Sequence, residues 1–202
     1  MTKRTFSISS LLLAFVMTMA AQDIQLPKPK TTGGMPLMEA LSKRQSNRDF
    51  SEKELDNQTL SNLLWAAWGY NRADKRTAPS SRNKQELELY VVMKNGSYLY
   101  DAQNNLLKQV SNQDNRKAAG MQPFVSIAPV NIIFVADKSK GSDLESSHTN
   151  SGFISQNIYL FCASEGLITV VRGMFDAKAL APALSLNENQ VPILAQTVGY
   201  KK

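Results

Sequence analysis

The sequence predicts a single α+β domain, in which helices flank a sheet. Residues 87–93 alternate apolar and polar positions, and Asn95-Gly96 directly after them is a strong hairpin signal. Residues 130–136 form a near-continuous apolar run, which is typical of a strand at the centre of a sheet. Apolar residues recur with helical spacing over 60–68 and over 149–165, and these stretches predict the flanking helices.

Turn and cap residues predict where the other elements begin and end. Pro36 opens a short helix, Asp56 caps the helix that Gly69 ends, and Asp176 caps another helix. The remaining strands are expected at 98–100, 106–110, 167–171 and 190–199, and the two short helices at 37–41 and 177–183.

Residues 1–21 have the pattern of a secretory signal peptide. Lys3 and Arg4 precede an apolar run at 11–19, and small residues follow it. We expect cleavage after residue 21, export to the periplasm or beyond the cell, and no stable membrane insertion afterwards. An uncleaved anchor is the alternative, although the run is shorter than the span of about 20 residues that a bilayer requires. Residues 22–35 contain Pro and Gly and are expected to be a linker, so that the folded domain occupies 36–202.

Composition excludes several classes of protein. The chain has 202 residues and a formal net charge of +6, a modest surplus whose basic residues are not interleaved with aromatic ones, so no nucleic-acid surface is expected. Its one cysteine, Cys162, excludes an internal disulfide and a cysteine-based metal cluster. The single histidine, His148, has no partners at the spacing of a metal site.

A basic stretch follows the first short helix and carries the clearest chemistry. Arg44 and Arg48 offer planar, permanently charged donors that suit a phosphate, and Ser46 adds a neutral donor between them. A solvated basic turn is the alternative for this stretch alone. A second polar loop contains Pro79, Ser80, Asn83 and Gln85, and its alternative is likewise a solvated loop.

These two stretches resemble the nitroreductase-like flavoprotein family. Its Arg-x-Ser-x-Arg-x-Phe motif is complete as Arg44, Ser46, Arg48 and Phe50. Its Pro-Ser-x-x-Asn-x-Gln-Pro-Trp segment is matched up to the last two positions, where Glu86-Leu87 is similar to the SagB and azoline-oxidase branch.

Weaker resemblances continue to residue 202. The family's Asp-x-Gly-x-x-x-Gln-Asn-Leu helix is matched at Gly152, Gln156 and Asn157, with Asn150 in place of the Asp. Phe175-Asp176 resembles the family's Gly-Phe-Asp segment, and Val198-Gly199-Tyr200 resembles its closing motif.

The resemblance implies a mixed or antiparallel sheet flanked by helices, in a homodimer that holds FMN at the subunit boundary. It implies no catalytic side chain and no metal, since the flavin does the chemistry and the protein positions it. The residues that it implies for FMN binding are Arg44, Gln45, Ser46, Arg48, Asn83, Gln85, Arg172, Gly173, Lys201 and Lys202.

The expected function is FMN-dependent, two-electron reduction of a small-molecule acceptor of the quinone or nitroaromatic type. The electron donor is NAD(P)H or another reductant that the sequence does not identify. Two alternatives stay open at this point. One is a SagB-like flavin dehydrogenase that acts on a peptide or a small heterocycle. The other is an exported, non-enzymatic binding protein that has the fold without FMN.

Overall fold

A computed structural model describes residues 22–202, and the predicted signal peptide lies outside the described residues. Its main feature is a seven-stranded sheet with the order β1-β6-β5-β4-β7-β9-β8. The strands are β1 (Ile24–Gln25), β2 (Tyr70–Arg72), β3 (Lys75–Arg76), β4 (Leu87–Met93), β5 (Gly96–Asp101), β6 (Leu106–Ser111), β7 (Val130–Asp137), β8 (Ile168–Arg172) and β9 (Gln190–Gly199). The helices are α1 (Leu37–Lys43), α2 (Asn57–Trp68), α3 (Leu144–Glu165) and α4 (Ala177–Ala183).

Every strand pair of the described sheet is antiparallel, so the sheet is antiparallel rather than mixed. The predicted hairpin is confirmed, because Met93 pairs with Gly96 across the turn. The apolar run at 130–136 forms β7, which lies between β4 and β9. Strands β2 and β3 form a separate two-stranded ribbon.

Helices cover both faces of the sheet, which explains why β7 is apolar at successive positions. Because side chains alternate across a strand, Ile132 and Phe134 pack with α2 and α3 on one face. Ile133 and Val135 pack with Leu180 of α4 on the opposite face. The predicted architecture of helices flanking a sheet is therefore confirmed.

Aspartate caps set the beginnings of three helices. Asp56 accepts a hydrogen bond from the Thr59 backbone N–H at 2.8 Å, as its position before α2 predicts. Helix α3 begins at Leu144, earlier than the predicted residue 149, because Asp143 accepts from the Ser146 N–H at 2.6 Å.

Among the described residues, no helix combines the length and the apolar character needed to cross a bilayer.

The prediction of a linker at 22–35 is wrong for its first half, which lies against the domain. Strand β1 pairs with the edge strand β6, and Leu26 is only 3% exposed. The Pro27 carbonyl accepts hydrogen bonds from the Ser61 hydroxyl and from the Asn105 side-chain amide. The Pro and Gly content indicated an irregular chain correctly, but an irregular chain can still be ordered when its backbone groups find partners.

Truncating the buried side chain of this arm should destabilise the whole domain. Leu26→Ala is expected to lower the free energy of unfolding by about 2–4 kcal/mol, because it leaves a cavity in the core. Leu144→Ala, at an exposed position of α3, should lower it by about 1 kcal/mol or less. Urea titration of both variants measures this difference, and equal midpoints would show that the arm is not docked in solution.

Candidate functional site

The Arg-x-Ser-x-Arg-x-Phe motif is fastened to the sheet by its backbone and by Phe50. The Asn47 N–H donates to the Thr169 carbonyl on the outer edge of β8 at 3.0 Å. Phe50 is buried and packs against Phe124, with ring centroids 5.5 Å apart. The motif's aromatic residue is therefore an anchor, and its polar residues lie on the surface that this anchor fixes.

The C-terminal tail pairs with the same motif. Phe50 forms an antiparallel bridge with Lys201, and the Lys202 N–H donates to the Asp49 carbonyl at 3.0 Å. Gly199 allows this approach, because a Cβ at that position would lie 2.7 Å from Pro129 and 3.1 Å from Phe50. Two motifs that are remote in sequence thus meet at one end of the sheet.

A cleft of about 460 Å³ opens where these segments meet α3 and β8. We call it the basic cleft. Its lining includes the polar residues Arg44, Gln45, Tyr159, Thr169 and Lys201. Lys43 also lines it but is paired with Glu39 at 2.7 Å.

The basic cleft suits an anion. Within the described part of the chain, the Arg44 guanidinium makes no ion pair or side-chain hydrogen bond, and its Cζ lies 5.3 Å from the centre of the Tyr159 ring. Lys201 is exposed and likewise has no acidic partner among the described residues. A phosphate could therefore take hydrogen bonds from both cations without breaking an existing pair.

Ser46 adds a hydroxyl beside this cleft, and Tyr159 holds it there. The two side-chain oxygens are 2.7 Å apart, and the backbone N–H of Val171 donates to the same Tyr159 oxygen at 3.0 Å. Arg48 is exposed and does not line the cleft. The family motifs do not include Tyr159, although a tyrosine buried on a helix needs a partner for its hydroxyl.

The second predicted group, Asn83 and Gln85, lies in a loop with unusual backbone geometry. We call residues 79–86 the amide loop. Arg82, Asn83 and Gln85 have φ values of 53°, 55° and 50°, in the left-handed region that residues other than glycine rarely adopt. Strain of this kind concentrates at binding sites, where the surrounding structure enforces it.

Hydrogen bonds to residues 70–76 and to Asn83 already use the Gln85 side chain fully. Its oxygen accepts from Arg76 Nε at 2.9 Å and from the Tyr70 hydroxyl at 3.3 Å. Its amide nitrogen donates to the Asp74 carbonyl at 2.8 Å and to Asn83 Oδ1 at 3.0 Å. The Asn83 amide is held too, because its oxygen accepts from Gln85 and its Nδ2 donates to the Asp74 carbonyl at 3.2 Å. It still keeps one N–H donor and one acceptor lone pair, so Asn83 is the better placed of the two to contact a ligand.

Two residues that depart from the family motifs, Glu86 and Asn150, contact each other at the end of this loop. Asn150 Nδ2 donates to Glu86 Oε1 at 2.7 Å, and both side chains are buried. Asn150 takes the place of the acid in the helix motif, and Glu86, just before β4, is an acid where the loop motif has proline. The pair joins α3 to the base of the amide loop.

The amide loop and the basic cleft lie at opposite ends of the sheet. Leu87, just after the loop, pairs with Ala136, which pairs with Val191 near the start of β9. The tail that reaches the basic cleft leaves β9 at its other end, after Gly199. At about 3.3 Å per residue, ten residues of β9 separate these ends by roughly 30 Å. A single chain does not bring Asn83 beside Arg44.

The Arg172 side chain serves the core. Its nitrogens donate to Thr197 Oγ1 at 3.0 Å, to the Ala119 carbonyl at 2.9 Å and to Asn131 Oδ1 at 3.1 Å. Burial lowers the pKa of its guanidinium to about 10, so the group is still charged at neutral pH. The exposed backbone of Gly173, at the end of β8, is the part of this segment that a ligand can reach.

No other group in the described residues offers chemistry of its own. They contain no cluster of three or more potential metal ligands. Cys162 borders the basic cleft, but burial raises the pKa of its thiol, so it stays protonated and unreactive at neutral pH. His148 is exposed on α3, as expected for a residue without a catalytic role.

Replacing Arg172 should damage stability, because lysine cannot reproduce its three directed hydrogen bonds. Arg172→Lys is expected to lower the free energy of unfolding by about 2–4 kcal/mol, since buried acceptors lose their donors. Arg72→Lys, at an exposed position, should change it by about 0.5 kcal/mol or less. Guanidinium titrations compare the stabilities of the two variants. An Arg172→Lys variant with an unchanged free energy of unfolding would mean that these bonds do not stabilise the core.

Comparison with known proteins agrees with the resemblance. The sequence profile of the nitroreductase family matches residues 41–200. A crystal structure from Ralstonia eutropha, assigned as a nitroreductase, has a TM-score of 0.84 at 40% identity, covering 89% of this chain and 90% of that one. A Methanocaldococcus jannaschii protein with the same assignment is 29% identical over 196 residues, which are 89% of this chain and 96% of the relative.

A further structure shares the fold at lower identity. It is a Desulfovibrio desulfuricans protein, assigned as a nitroreductase and solved in complex with FMN. Its TM-score is 0.63 at 20% identity, covering 84% of this chain and 88% of that one. The profile match and the 40% identical structure together show that this chain belongs to the nitroreductase family and is a nitroreductase-type oxidoreductase.

Proposed function

We propose that the protein binds FMN and uses it to reduce flat, quinone-like or nitroaromatic acceptors by two electrons. The observation that carries this proposal is the basic cleft, which Arg44 and Lys201 line although they come from distant parts of the chain, with the Ser46 hydroxyl beside it. When bound, FMN accepts two electrons from a donor and passes them to an acceptor. The FMN complex of the relative from Desulfovibrio desulfuricans supports the choice of cofactor.

The donors of this chain fit the polar end of FMN. Arg44 and Lys201 would hold its phosphate, since neither has an acidic partner among the described residues. Ser46 would donate a neutral hydrogen bond beside them. The exposed backbone at Gly173, farther along β8, is available to the flavin ring.

The remaining contact, from Asn83, would come from a second copy of the chain. The sheet places Asn83 roughly 30 Å from the tail that lines the basic cleft, if β9 rises about 3.3 Å per residue. Apolar side chains are also exposed on α1 and α3, with Leu37 62%, Met38 75% and Phe153 44% exposed. Covering such residues favours association, so we propose a homodimer with FMN between the subunits.

The described residues offer no acid, base or nucleophile at this site, so the chain's contribution is to bind and orient. Donor and acceptor would take turns at the same exposed flavin face, with NAD(P)H or another reductant as donor. An open face selects weakly by shape, so several flat acceptors should react. The SagB-like dehydrogenase is the second candidate, favoured by Glu86-Leu87 in place of the usual Pro-Trp.

Removing the Arg44 guanidinium should weaken FMN binding roughly ten- to a hundredfold, because a charge-assisted bond to phosphate contributes about 1.5–3 kcal/mol. Lys94→Ala, which removes an exposed positive charge from the turn between β4 and β5, is the matched control and should leave the affinity unchanged. Titration of each apoprotein with FMN, followed by quenching of flavin fluorescence, gives the dissociation constants. An Arg44→Ala protein that is folded and binds FMN normally would disprove the phosphate assignment.

Mixed dimers test whether two chains build one site. A heterodimer of an Arg44→Ala chain and an Asn83→Ala chain should bind about one FMN tightly. One of its two sites takes Arg44 from the Asn83→Ala chain and Asn83 from the Arg44→Ala chain, so that site is intact. A heterodimer of an Arg44→Ala chain and a Ser46→Ala chain should bind none tightly, since both of its sites are defective. Two different affinity tags allow each heterodimer to be purified and its bound FMN to be counted. Equal FMN content in the two heterodimers would contradict the shared site.

The acceptor class is tested by anaerobic stopped-flow. The holoprotein is reduced chemically, freed of excess reductant and mixed with menadione or nitrofurazone, and we expect the flavin absorbance to return with both. Persistence of the reduced spectrum, together with reduction of the oxidised holoprotein by an azoline, would instead support the dehydrogenase. A purified protein that is colourless and takes up no FMN would exclude both enzymes and leave the binding protein.

A further inference from the structure

Tyr159 lines the basic cleft and contacts two of the other segments that form it. It is on α3 and only 8% exposed, its ring lies under the Arg44 guanidinium, and its hydroxyl contacts both Ser46 and the edge strand β8. The interactions use every part of the side chain. The family motifs that predict the site do not include this position.

One assignment of protons gives each contact of the Tyr159 hydroxyl a donor and an acceptor. The Val171 N–H can only donate, so the Tyr159 oxygen accepts from it at 3.0 Å. The contact between Tyr159 and Ser46 Oγ, at 2.7 Å, fits a proton from either oxygen, and among the described residues Ser46 Oγ is the acceptor within reach of the Tyr159 proton. When Tyr159 donates to Ser46, the Ser46 proton is available to a ligand.

The ring of Tyr159 acts on Arg44 in a second way. With Cζ 5.3 Å from the ring centre, the guanidinium rests on the aromatic face and is attracted to it. This contact uses no N–H donor, so all five remain available to an anion. It also restricts a long side chain that would otherwise lose much conformational entropy on binding a ligand.

We propose that Tyr159 is a positioning residue for FMN, which fixes Ser46 as a hydrogen-bond donor and holds Arg44 over the basic cleft. The inference rests on the proposed function, since it assigns a role toward the same cofactor. Tyr159 does not touch the reacting atoms. Its hydroxyl acts through Ser46, and its ring acts through Arg44.

The test is a double-mutant cycle on FMN affinity. Tyr159→Phe keeps the ring and removes the hydroxyl, and we expect it to weaken FMN binding about tenfold, as does Ser46→Ala. The double variant should be no weaker than Ser46→Ala alone, because the hydroxyl acts through Ser46. Tyr98→Phe removes another hydroxyl with two partners, in β5, and should leave FMN affinity unchanged.

Each outcome decides between the alternatives. Unchanged affinity in Tyr159→Phe overturns the role of the hydroxyl. Losses that multiply in the double variant overturn it too, since a merely structural tyrosine would weaken binding with or without Ser46. If Tyr159→Phe fails to fold, the FMN affinity of Ser46→Ala is the test. Unchanged affinity in Ser46→Ala would show that Ser46 does not contribute to FMN binding, and the Tyr159 hydroxyl would then have no residue through which to act. A wild-type chain that binds no FMN overturns the proposed function as well, which separates the two failures.

A readout without cofactor accompanies the cycle. Hydrogen exchange of the Val171 amide in the apoprotein should be about tenfold faster in Tyr159→Phe than in the wild type, because the amide loses its acceptor. It should be unchanged in Tyr98→Phe. Equal exchange rates in all three proteins would show that the Tyr159 hydroxyl does not hold the edge of β8.

Discussion

The antiparallel register of the sheet decides how this protein can build a binding site. In such a sheet, a strand and its neighbour run in opposite directions, so the segments before β4 and after β9 leave from opposite ends. Asn83 precedes β4 and Lys201 follows β9, and no loop of the described chain carries one to the other. The cationic part and the amide part of the proposed site are therefore far apart within one chain.

Apolar contacts hold the polar part in place. Phe50 is buried beside Gly199, and the backbone between Asn47 and Ser51 is bonded to β8 and to the tail. Arg44 and Ser46 thus extend from a segment that has little freedom to move. A cleft whose donors are held before the ligand arrives loses less entropy on binding, which is the physical benefit of placing a motif against a sheet edge.

The sequence predicted the regular elements well, because periodicity and caps are local signals. The bounds of β4 and the caps of α2 and α4 agree with the structure. The order of the first half of 22–35 was missed, since its partners Ser61 and Asn105 are distant in the chain. The hydrogen bond between Glu86 and Asn150 could not be predicted for the same reason, since the two residues are distant in the chain and each departs from a different family motif.

The family motifs predicted which residues lie near the candidate site better than they predicted which side chains can still bind a ligand. The motif identified Arg44 and Ser46, and the structure puts both at the basic cleft. The resemblance also implied Gln85 and Arg172, whose side chains turn out to be satisfied within the chain. A motif records which residues recur, whereas the hydrogen bonds that a side chain has already made decide whether it can still bind a ligand.

The pairing of the motif with the tail also constrains the order in which the protein can fold. Ser51 is bonded to Tyr200, 149 residues later in the chain. Contacts of this separation form slowly, because a long loop must close first. During synthesis at about 5–20 residues per second, the motif would wait roughly 7–30 s for its partner. The basic cleft is therefore among the last features to form, and incomplete chains would lack it.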